Sequence, residues 1–327
     1  MEIIAEIGST HDGSLGNALG SIEIAARCGA THCKFQTHMA EYETLREAPN
    51  PPYFKGENRY QYFERTAFTE DQYRRLLLAC HQNGVEFVSS PFCIEAVELL
   101  QRVGCRNYKI PSGEVSNLPL IERLSEVEGR VYLSSGMSTW AELDRAFDVL
   151  RDRNSLVVMQ CTSEYPCKPE HVGLNIFGEM AQRYGCTIGF SDHTRGLSAS
   201  ILAVSQGVTM IEKHFTLSRL LYGSDAANSL DPEQFSQFCQ ELREAQRIVL
   251  SRVDKDDSQC YSEMKKIFEK SVVARHSLAA GSAVAMDDLA FKKPGDGIPA
   301  SEYRALLGKV LLENVDIDHK FCWGDFK

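Results

Sequence analysis

Two histidines, His193 and His214, stand at the ends of short apolar runs, and two lysines, Lys34 and Lys109, interrupt two others. Neutral imidazole is a ligand for manganese, iron, cobalt or zinc. A pair of imidazoles leaves coordination positions open for water and substrate, which suits Lewis-acid chemistry. A lysine inside an apolar run is costly to bury unless it meets an anion. Two such lysines, with the hydroxyls of Ser90, Ser112, Ser134, Ser163 and Ser191 in comparable positions, describe a pocket for phosphate or carboxylate. Taken singly, a histidine is more often a hydrogen-bonded structural residue and a serine more often a helix cap. The chemistry therefore depends on whether the fold brings these residues together. His11, in a His-Asp-Gly turn, is a weaker third imidazole and reads first as a loop residue.

Their positioning follows from eight short, mostly apolar runs rich in β-branched residues, at 3–8, 32–37, 86–91, 107–112, 131–136, 156–163, 187–193 and 210–216. Strands covered on both faces have this character. Helical signals separate them. Thr69 with Gln72 and Thr139 with Glu142 are capping boxes, Asp231-Pro232 is an N-cap followed by Pro at the first helical position, and Gly29, Gly84 and Gly104 stand where C-terminal glycines belong. Eightfold strand–helix alternation predicts an α/β (β/α)₈ TIM barrel, with a doubly wound open sheet as the alternative. No G-x-G-x-x-G follows the first run, which counts against that alternative. In a barrel the C-terminal ends of all strands surround one mouth. Glu6, Lys34, Gln36, Ser90, Lys109, Ser112, Glu114, Ser134, Ser163, Ser191, His193, Glu212 and His214 should then converge. Adjacent strands lie about 4.8 Å apart, so two imidazoles on the last two strands could share one ion.

A barrel of this kind takes about 250 residues, and the chain has 327. The expected division is a catalytic barrel over 1–255, a linker over 256–270 and a small β-rich module over 271–327, with strands near 271–275 and 310–317. A formal net charge of -10 argues against a nucleic-acid partner. The 11 cysteines, with no C-x-x-C, read as reduced thiols. Without a signal peptide or a run of roughly 18–20 apolar residues, no membrane is implicated and a cytoplasmic enzyme is expected.

Ten motifs in order resemble the sialic acid synthases, which condense phosphoenolpyruvate to make nonulosonic acids. They are AEIG at 5–8 with its H-x-G turn, KFQTH at 34–38, SSPF at 89–92, YKIPSGE at 108–114, SSGM at 134–137, CTSEYP at 161–166, FSDHT at 190–194, EKHFT at 212–216, GSDAANSLDP at 223–232 and KKPGDGI at 292–298. The resemblance implies a barrel followed by an antifreeze-like (SAF) domain, exchanged between subunits of a domain-swapped homodimer. It implies a divalent metal on His193 and His214, manganese or magnesium, with cobalt also suitable. Lys34, Ser90, Lys109, Ser112, Ser134, Ser163 and Ser191 match positions that hold phosphoenolpyruvate. Glu6, Gln36, Glu114, Tyr165 and Asp225 match positions near the amino sugar, and Lys293 stands at the tail position facing its acyl group. Many members have Arg at that tail position, and His where this chain has Ala226. Both departures fall on the sugar side.

The reaction so implied joins phosphoenolpyruvate to the aldehyde of an N-acylated hexosamine, N-acetylmannosamine or a diacetamido-trideoxyhexose, and releases phosphate. His214 serves it through the metal, and Glu114, then Glu6, are the candidates to move a proton. The N-acetylneuraminate and legionaminate products are not separated by these residues. A metal-dependent pyruvate aldolase on the same barrel, or a non-catalytic sugar- or anion-binding barrel, remains the alternative.

Overall fold

The computed structural model describes residues 1–50, 57–153, 155–222 and 225–327. Eight parallel strands close into a barrel in chain order: β1 (Glu2–Gly8), β2 (His32–Thr37), β3 (Glu86–Pro91), β4 (Asn107–Ile110), β5 (Arg130–Ser134), β6 (Leu156–Cys161), β7 (Thr187–Asp192) and β8 (Met210–His214). Five of the expected runs, those of β4 to β8, overshoot these ends by one or two residues. At β4 the reason is visible: Pro111 offers no N–H to a ladder, and Ser112–Glu114 turn into a 3₁₀ segment. The side chains that sequence patterning draws to the mouth therefore lie at the last rungs of the ladder or just beyond them.

Period-two alternation decides which face each residue takes. Ile4, Val88, Tyr132, Val157, Met159 and Met210 form an apolar plug inside the barrel, separate from the larger core between strands and helices. Two residues further along the strands, the same face carries Glu6, Ser90, Ser134, Cys161 and Glu212. Parallel pairing sets these side by side: Glu6 is in register with both Lys34 and His214, Gln36 with Ser90, and Ser191 with Cys161 and Glu212.

The helices that cover the barrel begin and end where their caps dictate. Both predicted capping boxes form, at Glu70–Gln82 and Trp140–Leu150, and Asp231 caps Pro232–Leu250 with Pro at its first turn. Gly29, Gly84 and Gly104 all have positive φ after helices. No helix among the described residues is long and apolar enough to cross a membrane.

Chain contacts divide the molecule into Met1–Ser251 and Arg252–Lys327. In the second unit, β9 (Ser271–Ala274) and β10 (Leu289–Lys292) form an antiparallel pair, packed with Val284, Ile298, Leu306 and Phe321. The segment expected as a linker contains the helix Ser262–Phe268. The strand expected over 310–317 does not form. Val310, Leu311 and Val315 bridge three different segments, at Ala283, Phe326 and Leu278, so no continuous ladder develops. Asn314 turns instead to accept the backbone N–H of Ala280.

One glycine is required by the barrel itself. Gly129, with φ +103°, leads into β5 against the carbonyl of Arg106, where a Cβ would collide with backbone. Gly129→Ala should destabilise the barrel by about 2 kcal/mol or more, read as a lower urea midpoint. An unchanged midpoint would show that the Arg106 turn relaxes freely.

Candidate active site

The C-terminal ends of the strands enclose a cavity of about 430 Å³, within the size range of small-molecule sites. Glu6, Lys34, Gln36, Ser90, Lys109, Ser112, Glu114, Ser134, Ser163, Tyr165, Ser191, His193, His214 and Asp225 all line it, so every site residue expected from sequence except Lys293 meets here. Lys293 belongs to the second unit, where its ammonium lies 4.9 Å from the centroid of the Phe268 ring. Of the GSDAANSLDP segment, positions 223 and 224 lie outside the described residues. Ala226 is buried, and Asp225 accepts from the Ser9 hydroxyl at 3.0 Å.

The floor of the cavity is a buried charge cluster. Lys34 Nζ lies 2.8 Å from Glu6 Oε2 and 3.6 Å from Glu212 Oε1, and Lys109 Nζ lies 2.8 Å from Glu212 Oε2. Ser191 donates to Glu212 at 3.1 Å and Lys34 to Ser90 at 3.4 Å. The two carboxyls are pushed apart. Burial opposes the charge on Glu212, but the Lys109 and Lys34 ammoniums outweigh it and hold the group at about 2. Burial dominates at Glu6, helped by the charge of Glu212 and only partly offset by Lys34, so its carboxyl is raised. Burial also raises Glu114, which accepts from Asn117 at 2.7 Å. Divergent carboxyls in one cavity separate a permanent anion from groups able to hold a proton.

Beside this cluster stand the two imidazoles, with ring centroids 5.5 Å apart. His193 Nδ1 donates to the Thr162 carbonyl at 2.7 Å, which leaves Nε2 as its lone-pair nitrogen. His214 Nδ1 is buried without a hydrogen-bond partner, and burial, the first cause, depresses this imidazole to about 4. A neutral ring with an orphaned nitrogen beside a second ring of fixed tautomer fits a two-histidine metal site. Tyr165 packs against His193 with ring centroids 4.2 Å apart at a 33° tilt and meets His214 edge-on at 5.8 Å. No group of three or more His, Cys, Asp or Glu side chains arranged for a metal occurs among the described residues, so further ligands would be water or substrate.

Two glycines keep space open. A Cβ on Gly136 would collide with the hydroxyls of Ser112 and Ser163, and Ser163 Oγ is itself buried and unpartnered. A Cβ on Gly8 would fall 2.7 Å from Asp225 Oδ2 and 3.2 Å from both Gln36 Nε2 and Glu6 Oε1. The cavity thus has one corner of hydroxyls near the lysines and another of carboxylate and amide groups.

Sequence patterning placed Glu212 at the mouth without a role, and His38 inside a motif without one. It missed Glu43, Arg59, Phe63 and Phe92, which also line the cavity. Their only signal was position after β2 and β3, in segments whose course strand periodicity does not specify. His11 is structural: its ring stacks on Phe68 at 4.4 Å, and Nδ1 accepts from the Gly13 N–H.

Comparison with known proteins agrees with this geometry. The NeuB family matches residues 21–254 and the SAF domain matches residues 269–318. The chain is 33% identical to the N,N'-diacetyllegionaminic acid synthase of Campylobacter jejuni over 97% of each chain. It is 32% identical to the human N-acetylneuraminate-9-phosphate synthase, over 97% of this chain and 90% of that one. The crystal structure of an N-acetylneuraminic acid synthetase from Leptospira borgpetersenii superposes with a TM-score of 0.70 at 27% identity, covering 80% of this chain and 90% of that chain. With a catalytic-type cavity at the mouth of a closed barrel and a match along nearly its whole length, the chain belongs to the NeuB family of synthases.

Proposed function

We propose that this enzyme condenses phosphoenolpyruvate with the aldehyde of an N-acylated hexosamine, giving a nine-carbon sialic-acid-type sugar and phosphate. The observation that carries the reading is the cavity floor, where two buried lysines share one carboxylate beside a pair of imidazoles. A trianionic substrate can take over the lysines from Glu212 and Glu6, with Ser90 and Ser191 already in that network. Ser112, Ser134 and Ser163 supply hydroxyl donors at the corner that Gly136 leaves open. Gln36, Tyr165 and Asp225 face the opposite corner and would receive the amino sugar. His193 and His214 would hold a divalent ion, manganese or magnesium, and that ion when bound supplies Lewis-acid polarisation of a carbonyl oxygen.

Carbon 3 of phosphoenolpyruvate attacks the aldehyde carbon and water adds at carbon 2. Cleavage of the carbon–oxygen bond then releases phosphate. Lys34 and Lys109 stabilise the anionic groups as charge redistributes. Glu114 or Glu6, both raised by burial, can carry the proton that the new hydroxyl needs. Eleven unpaired thiols support a reducing cytoplasmic setting. Exposed Ile248 and Leu250 on the barrel unit, and Ile267 and Phe268 on the second unit, support burial against another copy in a domain-swapped homodimer. Lys293 would reach the sugar's acyl group in that assembly.

Phosphate release from phosphoenolpyruvate should depend on one of N-acetylmannosamine, its 6-phosphate or a diacetamido-trideoxyhexose. No phosphate release with any of them, together with cleavage of the product to free pyruvate, would favour the aldolase reading. Chelation should lower the rate at least 100-fold, with recovery on adding manganese or magnesium, and full activity after exhaustive chelation would remove the metal from the reading.

Gly136→Ala should raise KM for phosphoenolpyruvate at least 10-fold by turning Ser112 and Ser163 away, and an unchanged KM would separate that corner from the anion.

Glu114→Gln should lower kcat about 100-fold if Glu114 moves the proton, and near-wild-type turnover would transfer that role to Glu6. A pH effect on stability goes with it. Because the folded value of Glu114 is raised above the ordinary 4.5, its stabilising contribution is present below pH 4.5 and is lost as pH rises through the folded value. The Gln variant should therefore match wild type in urea at pH 4 and exceed it at pH 7, and the opposite order would contradict the burial cause.

A further inference from the structure

His38 follows β2 and is packed as a sandwich. Its ring stacks on Phe63 at 3.8 Å and 6°, and on Phe92 at 4.1 Å and 18°. In the plane left between those faces, Nδ1 lies 2.8 Å from Glu43 Oε1 and Nε2 lies 3.1 Å from Gln36 Oε1. Gln36 in turn donates from Nε2 to Glu6 Oε1 at 2.8 Å, and the other oxygen of Glu6 lies 2.8 Å from Lys34. The result is an unbroken line from the outer wall of the cavity to its charged floor: Glu43, His38, Gln36, Glu6, Lys34, Glu212.

The polarity of that line is set by its ends. The Gln36 amide must offer its nitrogen to the carboxylate of Glu6, which turns its oxygen toward His38. His38 Nε2 then donates to that oxygen, and Nδ1 lies against the Glu43 carboxylate. With a ring stacked on each face, His38 is left only its two in-plane nitrogens for polar contact, and both are engaged. The Gln36 amide is thus held at both ends, its nitrogen by Glu6 and its oxygen by His38.

We propose that His38 and Glu43 are positioning residues for the amino-sugar half of the site, acting through Gln36 on Glu6. This rests on the proposed condensation, since it is that reading which puts the sugar against Gln36 and Glu6. The dyad touches neither substrate in this scheme. It fixes which way the Gln36 amide points, and so which atoms of Gln36 and Glu6 meet the sugar over Gly8. Of the groups assigned to phosphoenolpyruvate, Lys34 alone takes a direct contact from Glu6, and Glu212 and Ser90 hold it as well, so the dyad bears mainly on the sugar half.

The test uses the full chain with Glu43→Gln, which keeps size and removes charge, and with His38→Gln. Both variants should raise KM for the amino sugar at least 10-fold and leave KM for phosphoenolpyruvate within twofold, with Glu43→Asp recovering part of the loss. Equal changes in both KM values, or no change in either, in variants with wild-type thermal midpoints would overturn the proposal. Should His38→Gln fail to fold, the isosteric Glu43→Gln carries the kinetic test. A readout without turnover keeps the inference separate from the reaction. The side-chain amide resonance of Gln36, assigned by its loss in Gln36→Leu, should shift in Glu43→Gln, and an unmoved resonance would refute the relay. A shifted resonance in a protein that releases no phosphate with any sugar would overturn the sugar-binding part of the proposal together with the condensation.

Discussion

Two ammoniums, Lys34 and Lys109, share the carboxylate of Glu212 inside a barrel whose lower half is filled by Ile4, Val88, Tyr132 and three other apolar side chains. Removing any one of the three would leave a buried charge uncompensated, at a cost of about 3–5 kcal/mol. Their mutual attraction in a water-poor interior offsets desolvation only because Ser90, Ser191 and Glu6 fill the remaining hydrogen-bonding positions. A cluster of that kind is a poor way to stabilise a barrel, since a well-packed apolar layer would serve as well. On the proposed reading it serves instead as a preformed anion site: the lysines are already aimed, and an entering phosphate or carboxylate would replace one acid with another.

The same constraint explains the layering. A strand side chain alternates faces with period two, so a barrel interior is a stack of rungs, each two residues above the last. Apolar Ile4 is followed on its face by Glu6 and then by the open space over Gly8. Met210 is followed by Glu212 and then by His214. On β1 and β8 the transition from apolar to charged side chain takes one rung, and on β8 an imidazole follows at the next. This is why the cavity floor is dry enough to depress His214 and raise Glu6, yet the imidazoles still reach the opening.

That periodicity was legible in the sequence, and with it the barrel and the convergence of most of the site. Polar residues at the ends of apolar runs have nowhere else to go once eight runs close into a ring. The strand ends themselves were read too long, because the polar residues that follow the apolar runs, such as Ser112, Ser163 and His193, were counted with the strands although the ladders stop before them, at β4 on reaching Pro111. His38, Glu43, Arg59 and the two stacking phenylalanines were not legible as site residues. Glu43, Arg59 and Phe63 reach the cavity on the short helix Ala40–Glu43 and the helix Arg59–Thr66, a tertiary event with no signature in local spacing, and His38 and Phe92, which directly follow β2 and β3, gain a role only by packing against them. In the second unit, the run at 310–317 is apolar enough for a strand, but its partners are three separate segments, and one-dimensional patterning cannot see that.

The cavity's two halves differ in how they are organised, and the difference follows from where their groups are anchored. Most of the proposed anion half, Lys34, Ser90, Lys109, Ser134 and Ser191, is built from side chains on strands, whose backbone positions are locked by ladders on both sides, so Lys109 and Ser191 need only one acid to aim them. The opposite half draws on Tyr165, Asp225 and the tip of Gln36, which lie past the strand ends or have more free torsions. Groups of that kind lose more entropy on ordering unless something fixes them beforehand. Tyr165 is fixed by its tilted packing against His193, Asp225 by Ser9, and Gln36 by contacts on both ends of its amide. Variation in the loops can therefore alter which group is read in the second half without disturbing the charges in the first. Lys293 and Ala226, the two departures from the family pattern, both belong to loop or second-unit sequence, where the barrel's electrostatics do not constrain them.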